Sequence, residues 1–343
     1  MMNDTFSDFV AYLSENMQEI RNSVLMDYGS EPYMHYEDAF MNNFHPFSPG
    51  ERKNYKISAT DSTEFVRELY SGKKLILIRA YSRLGEDISS NFLAEVQSVG
   101  RDDLNMFIGL LMEHQEHLSV IDLLRRHRPD FALVDGSLVG RFMHEHRLIN
   151  ATKYEDFMDA YFMTLNDMLV ASSETGVPLV FISKSSDSRM FIQHLQGIIG
   201  DTARRTEETD HLLIRSMAKF SGYSTPLLVP MKPVPTNVKY NIVSFHAVPD
   251  VVDLPLKIDV FTGDSQEVHT DAPIPVSVNE DLLNMVFWGY GGIKAHNIWL
   301  ADIDRLVKFR TPEIENLYMK TFERMTGIQF YETRGERRAR IRI

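Results

Sequence analysis

The sequence predicts an α/β fold in which a mixed central sheet is flanked by helices. Short β-rich segments at residues 55–60, 74–81 and 131–138 are interleaved with longer segments of helical periodicity. Two of these strands run directly into an aspartate, Asp61 or Asp135, which small residues follow. A carboxylate at the end of a central strand is held rigidly by the sheet, so both positions are candidates for a functional site.

The order of the elements narrows the fold. The first two strands read as antiparallel neighbours, and the best helix of the chain is predicted over residues 104–128, where Pro129 stops it. A strand carrying Asp135, a helix near residues 154–171 and a strand at 178–182 follow. This strand–strand–helix–strand–helix–strand order, with acids at the tips of the first and third strands, predicts a ribonuclease-H-like core.

The segments around this core differ in composition. Residues 1–50 are predicted to be an N-terminal acidic helical arm, with eight acidic residues against one basic residue, and 32–50 within it an irregular linker. The main domain then spans residues 51–343 and carries a helical and proline-rich insertion at about 191–235, whose last ten residues are expected to form a loop. Five arginines make 334–343 a basic tail.

Composition excludes several classes of protein. A net charge of −12 argues against unaided nucleic-acid binding, and the absence of cysteine excludes disulfides and thiolate chemistry. Apolar runs are too short to cross a bilayer, and no secretory signal is recognised, so a cytoplasmic, non-membrane protein is expected. Neither a phosphate-binding Gly-x-x-x-x-Gly-Lys loop nor a Gly-x-Ser-x-Gly elbow occurs.

Asp61 and Asp135 could form a metal site together with a helical glutamate. Phosphodiester hydrolysis uses divalent ions held by Asp and Glu oxygens, commonly as a pair about 4 Å apart. Glu113 and Glu116 compete for the third place. Helical geometry puts Glu113 at the edge of the buried face and Glu116 on the solvent side, so Glu113 is preferred. The spacing of Glu113-His114-Gln115-Glu116-His117 is not that of a zinc protease helix.

Two further stretches could bind substrate. Lys184 follows a strand and can hold a phosphate as a point charge, although an exposed strand-end lysine is an equally good reading. In the glycine-interrupted string from Phe287 to His296, Trp288 could stack on a base and the histidine could orient a phosphate or water. The alternative is a core helix broken by glycines.

The chain resembles the NurA nucleases, the partners of the HerA hexameric DNA translocase. The resemblance extends from residue 55 to 296 and depends on the order and spacing of several strings. These are Ala59-Thr-Asp61-Ser62-Thr63, Leu133-Val-Asp135-Gly136-Ser137-Leu138, Phe181-Ile-Ser183-Lys184-Ser185, Gly222-Tyr-Ser224-Thr-Pro226, Lys257-Ile-Asp259 and Ile293-Lys-Ala295-His296.

This resemblance implies a metal-dependent DNA exonuclease and endonuclease that acts in DNA end resection as a homodimer docked on a HerA-type ATPase. Asp61, Glu113 and Asp135 would ligate manganese or magnesium, as two ions, and residues 51–343 would form the NurA nuclease domain. His296 matches the family histidine, which works with a tyrosine. An ungapped match puts Trp288 at the tyrosine position, and Tyr290 fills that role only if the backbone shifts. Ser62 also replaces the usual glycine.

Two other functions remain open from the residues. A non-catalytic adaptor could keep the fold with a decayed site and use the acidic arm or basic tail to hold a partner. A ribonuclease-H-like recombinase could use the same carboxylates for strand transfer. Loss of manganese-dependent cleavage in Asp135→Ala would exclude the adaptor, and end-dependent degradation would argue against the recombinase.

Overall fold

The computed structural model describes residues 4–24, 29–202, 208–231, 240–263 and 273–332. Within these ranges the strands are β1 (Phe44–Pro46), β2 (Ile57–Glu68), β3 (Lys74–Leu84), β4 (Asp87–Gln97), β5 (Phe131–Asp135), β6 (Leu179–Ser183), β7 (Gly222–Ser224), β8 (Leu227–Met231), β9 (Tyr240–Val248), β10 (Leu256–Phe261) and β11 (Ile274–Pro275). The helices are α1 (Asp4–Val24), α2 (Glu31–Asn43), α3 (Leu104–Arg126), α4 (Leu138–Phe142), α5 (Phe157–Thr175), α6 (Met190–Ile199), α7 (Asp210–Met217), α8 (Glu280–Gly289), α9 (Ile298–Val307), α10 (Thr311–Glu313) and α11 (Lys320–Thr326), with a π-helical segment Ile314–Met319 before the last.

One mixed sheet organises the chain, with the strand order β1-β7-β9-β10-β6-β5-β2-β3-β4. At its centre β2, β5 and β6 are parallel, whereas β2 and β3 form an antiparallel pair, as do β3 and β4. The order β4-β3-β2-β5-β6 is that of a ribonuclease-H-like core. The predicted fold class is therefore confirmed.

Helices cover both faces of the sheet. On one face α3 and α5 pack over the centre of the sheet around Phe107, Tyr161 and Leu165. On the other face α8 and α9 pack around Met285, Leu300 and Ile303. Alternate residues of a strand point to opposite faces of the sheet, so every second apolar residue of β2 and β5 packs against α8 and α9.

The segment predicted as an irregular linker is largely α2, so that expectation is wrong. Ser30 caps the helix by accepting a bond from the Tyr33 backbone N–H at 3.3 Å, and Pro32 occupies the first turn, where its missing N–H is harmless. Tyr36 and Phe40 of α2 are buried against α6 and α7. The apolar stripe of α1, in contrast, is exposed: Phe6, Phe9 and Met17 each lie open to solvent.

Five of the described strands were not expected: the short strands β1, β7 and β11, and the longer strands β4 and β8. β4 was missed because its α3-facing row is partly polar, with Ser89 and Asn91 bonded to α3, while Ile88 and Phe92 face solvent. The proline-rich end of the insertion contains β8, not a loop. Its Pro230 is tolerated because β8 pairs fully with β9 only, and beside β11 only at Leu227 and Leu228.

Some predicted segments lie outside the described residues: the basic tail 334–343 and, within the insertion, residues 203–207 and 232–235. Among the helices that are described, none combines the length and the apolar character that crossing a bilayer requires.

Candidate active site

Asp61 and Asp135 lie side by side on neighbouring parallel strands. Thr60 of β2 is in register with Val134 of β5, so the next residue of each strand is an aspartate. Both side chains are only partly exposed. One expectation needs correction: Asp61 does not end its strand, because β2 continues to Glu68 beside β3. The residue marks the point where the pairing with β5 ends, and this opens the sheet next to the carboxylates.

Glu116 approaches this pair from α3, contrary to the expectation that it faces solvent. The residue is only 5% exposed. Its two carboxylate oxygens accept hydrogen bonds from the Ser62 hydroxyl and from the guanidinium of Arg141. The helical-wheel argument failed because α3 packs against the sheet on one side and α5 on another, so it buries more than a single stripe.

Glu113 points to a different set of partners. Its Oε2 accepts a bond from the Tyr161 hydroxyl and lies 2.9 Å from His144 Nε2. Although burial opposes it, the charge of Arg141 and the hydrogen bonds from His144 and Tyr161 lower the pKa of Glu113. Of the two glutamates, Glu116 is thus the one held next to Asp61, and its charge acts on that residue.

The electrostatics of the site show a shortage of positive charge. Burial, together with the charges of Glu116 and Asp135, raises the pKa of Asp61 to about 8. Burial likewise raises the pKa of Glu116, although Arg141 opposes this effect. Grouped carboxylates that repel one another in this way are stabilised by a bound cation.

Hard carboxylate oxygens are the ligands that Mn²⁺ and Mg²⁺ prefer, so the donor set of Asp61, Asp135 and Glu116 fits these ions. In the part of the chain that is described, however, no three His, Asp or Glu side chains are already arranged to hold an ion. The structure supplies the ligand type without a finished coordination sphere.

A cleft of about 290 Å³ adjoins the aspartates and contains two of the predicted residues, Lys184 and His296. Lys184 Nζ lies 3.2 Å from Asp135 Oδ2. Burial lowers the pKa of His296 to about 4, and its buried Nε2 has no hydrogen-bond partner. Asp304 of α9 also lines the cleft and accepts a bond from Lys308 at 2.6 Å, but the sequence offered no signal for it.

Tyr290 and Trp288 occupy different places. The Tyr290 hydroxyl donates to Asp253 Oδ2 at 2.7 Å, and Asp253 lines the same cleft as His296. The Trp288 ring lies 5.9 Å from the ring of Tyr55, which contacts Phe131 at the first residue of β5. Trp288 is therefore at the opposite end of that strand from Asp135, and the structure does not bring it to the carboxylates.

A buried polar network supports the turn that follows Asp135. Gly136 has φ +104°, which side-chain-bearing residues rarely adopt. The Ser137 hydroxyl donates to Asp259 Oδ2 at 2.6 Å, and Lys257 Nζ lies 2.6 Å from Asp259 Oδ1. These hydrogen bonds connect the turn to β10. They give Lys257 and Asp259 of the string Lys257-Ile258-Asp259 a structural role, which is to hold this turn in place.

The fold and the site together define a ribonuclease-H-like α/β protein with acidic residues grouped at the end of its parallel strands. The NurA domain profile matches residues 55–309, most of the chain. The chain therefore belongs to the NurA family.

Solved structures agree with this fold. The NurA nuclease from Sulfolobus solfataricus superimposes with a TM-score of 0.63 at 16% identity, covering 95% of this chain and 98% of that one. NurA bound to dAMP and manganese gives 0.58 at 12% identity, covering 94% and 98%. NurA with manganese gives 0.57 at 10% identity, covering 93% and 98%. Among curated proteins, none matches the sequence.

Proposed function

We propose that this chain is a divalent-metal-dependent DNA nuclease with two activities: it degrades DNA from its ends, and it also cleaves internal phosphodiesters. The observation that carries this proposal is the juxtaposition of Asp61, Asp135 and Glu116 next to a cleft that holds a lysine and an unpartnered histidine. Membership of the NurA family and the manganese and dAMP bound by similar structures support it.

Asp61, Asp135 and Glu116 would hold two ions, manganese or magnesium. Such ions polarise the scissile phosphate and supply a nucleophile at neutral pH. Glu113 was the sequence-based choice for the third ligand. We favour Glu116, because it bonds Ser62, the residue after Asp61, and its charge acts on Asp61, whereas the partners of Glu113 are His144 and Tyr161.

Lys184 and His296 would act on the substrate. Lys184 neutralises Asp135 in the free protein and can contact a phosphate as a point charge once the strand arrives. With its lowered pKa, His296 is neutral at physiological pH, so its ring can orient a phosphate or a water without adding charge. Tyr290 would position Asp253 at the rim of the cleft.

The partners follow from the same proposal. A net charge of −12 gives weak intrinsic affinity for DNA, so we propose that a HerA-type hexameric translocase delivers the strand during end resection. The nuclease would act as a homodimer in the cytoplasm. Processive degradation of DNA by the purified chain alone at physiological salt would contradict this dependence.

The test is cleavage of end-labelled linear and closed circular DNA by the purified full chain with Mn²⁺, Mg²⁺ or EDTA. We expect cleavage that requires metal and that falls at least about 1,000-fold in Asp135→Ala, with unchanged circular dichroism. Asp130→Asn is the matched control. Asp130 is also an acidic residue, but it directly precedes the first residue of β5, whereas Asp135 is the last. Cleavage that persists in Asp135→Ala or in EDTA would reject the proposal.

A further inference from the structure

Arg141 lies behind the carboxylates and has no role in the reaction described above. It belongs to α4, which begins directly after the Asp135–Gly136–Ser137 turn, and it is only 2% exposed. Its Nη2 donates to Glu116 Oε2 and also to the backbone oxygen of Asp135, at 3.3 Å. One nitrogen thus joins the helix and the strand that supply two of the carboxylates.

The guanidinium is fixed from several sides. It lies over the Phe181 ring, 4.9 Å from the ring centroid. The Ser137 hydroxyl accepts a bond from Gly140 N at 3.0 Å and so caps the short helix that carries the arginine. A Cβ added at Gly136 would lie 3.9 Å from Nη2, so the turn passes close to the cation. The side chain has little freedom to leave Glu116.

The charge of Arg141 acts on the acids around it. Its positive charge acts to lower the pKa of both Glu116 and Glu113, against the effect of their burial. Arginine stays protonated in proteins, and here its Nη2 alone reaches both Glu116 and the Asp135 backbone oxygen, while its buried Nε and Nη1 make no hydrogen bond to the described residues. Ser62 bonds the other oxygen of Glu116, and the carboxylate is therefore oriented before any ion arrives.

We propose that Arg141 is a positioning residue that orients Glu116 toward Asp61 and thereby sets the affinity of the site for a divalent cation. This inference rests on the proposed metal-dependent function. The competing explanation is a buried ion pair that only stabilises the fold. Partners that orient a metal ligand typically contribute 10- to 100-fold to metal affinity, which a purely structural pair would not.

The experiment measures Mn²⁺ binding to the full chain without DNA, by the electron paramagnetic resonance of free Mn²⁺. Arg141→Lys keeps the charge but loses the planar group that lies over Phe181 and reaches both Glu116 and the Asp135 backbone oxygen, and we expect Mn²⁺ to bind about 10- to 100-fold more weakly with unchanged circular dichroism. Arg83→Lys is the matched control, since Arg83 joins β3 to Asp302 of α9 at 2.8 Å in an ion pair that includes none of the three proposed ligands. Equal Mn²⁺ affinity in Arg141→Lys and the wild type would overturn the inference.

A double variant covers the case in which Arg141→Lys does not fold. Glu116→Gln combined with Arg141→Met removes both members of the pair, so no buried charge is left unpaired. If Arg141 acts through Glu116, this variant binds Mn²⁺ as Glu116→Gln does. Weaker binding than in Glu116→Gln would overturn the inference. A wild-type protein that neither binds Mn²⁺ nor cleaves DNA would instead reject the proposed function itself.

Discussion

Lys257 and Asp259 lie two residues apart on β10, with both side chains buried and the ammonium 2.6 Å from the carboxylate. Alternate residues of a strand share a face, which places the pair together beneath the turn that follows Asp135. Asp259 also accepts bonds from Ser137 and Val139. The pair thus links the centre of the sheet to the candidate site.

This pair predicts a large stability effect. Asp259→Asn leaves the buried ammonium of Lys257 without its counter-charge, and we expect the free energy of unfolding to fall by about 3–5 kcal/mol. Urea denaturation measures the change. The double variant Lys257→Met with Asp259→Leu removes both charges and should lose less than the single variant. Single-variant destabilisation below about 1 kcal/mol would show that the pair is dispensable.

The two glutamates of α3 give a second prediction. Glu116→Gln should reduce metal-dependent cleavage on the order of 100-fold or more, because Glu116 is held next to Asp61. Glu113→Gln should cost less than about 10-fold, since Glu113 bonds His144 and Tyr161 instead. Initial rates at saturating and limiting Mn²⁺ distinguish the two. A larger loss of cleavage in Glu113→Gln than in Glu116→Gln would indicate that Glu113 is the third ligand.

The position of Lys184 predicts a salt-dependent effect on DNA binding. Lys184→Ala should reduce the slope of log affinity against log salt by about 0.7 on single-stranded DNA, the value of one lost phosphate contact. Trp288→Phe should leave this slope and KM unchanged, because Trp288 packs on Tyr55 at the other end of β5. A raised KM in Trp288→Phe would indicate that the bound DNA strand runs along α8.

Asp210 predicts a pH dependence of stability that is separate from the site. It is fully buried, where it accepts bonds from the backbone N–H groups of Phe191 and Ile192 at the start of α6. Burial, opposed by these bonds, raises its pKa from 3.8 to about 6. The folded state therefore binds a proton that the unfolded state has released, and stability falls as pH rises from about 4 to 6.

Asp210→Asn removes this titration. Relative to the variant, the wild type should lose up to about 3 kcal/mol of unfolding free energy between pH 4 and 7, as expected for a shift of about two pKa units. Urea unfolding of both proteins across that range measures the difference. The raised pKa would be contradicted if the difference in unfolding free energy between the two proteins stayed constant with pH. It would also be contradicted if the wild type gained stability relative to the variant as pH rises.

The sequence was sufficient for the central elements and for the pair of aspartates. Helix α3 and strands β5 and β6 were found within a few residues of their bounds, since their apolar patterns are strong and Pro129 and Gly136 punctuate them. Asp61 and Asp135 could be paired in advance because each follows a short β-rich segment, although Asp61 marks the end of the pairing with β5 and not the end of its strand.

The remaining parts of the site depend on packing that no local pattern reveals. Glu116 was assigned to solvent because a single helix gives no sign of its partners, Ser62 of β2 and Arg141 of α4. Arg141 reads as an ordinary surface residue, yet its partner lies 25 positions earlier in the chain. Strand β4 turns a partly polar row toward α3, which inverts the usual alternation of a half-buried strand.

Gly136 has a consequence for how this protein tolerates mutation. With φ +104°, any other residue there must change the path of the chain between Asp135 and Ser137. The same turn leads to the hydroxyl bonded to Asp259 and to the arginine bonded to Glu116. One alanine substitution would therefore disturb the carboxylate pair, its buried tether and its counter-cation at once, and random mutagenesis should recover fewer active clones altered at this position than at Gly85 or Gly176.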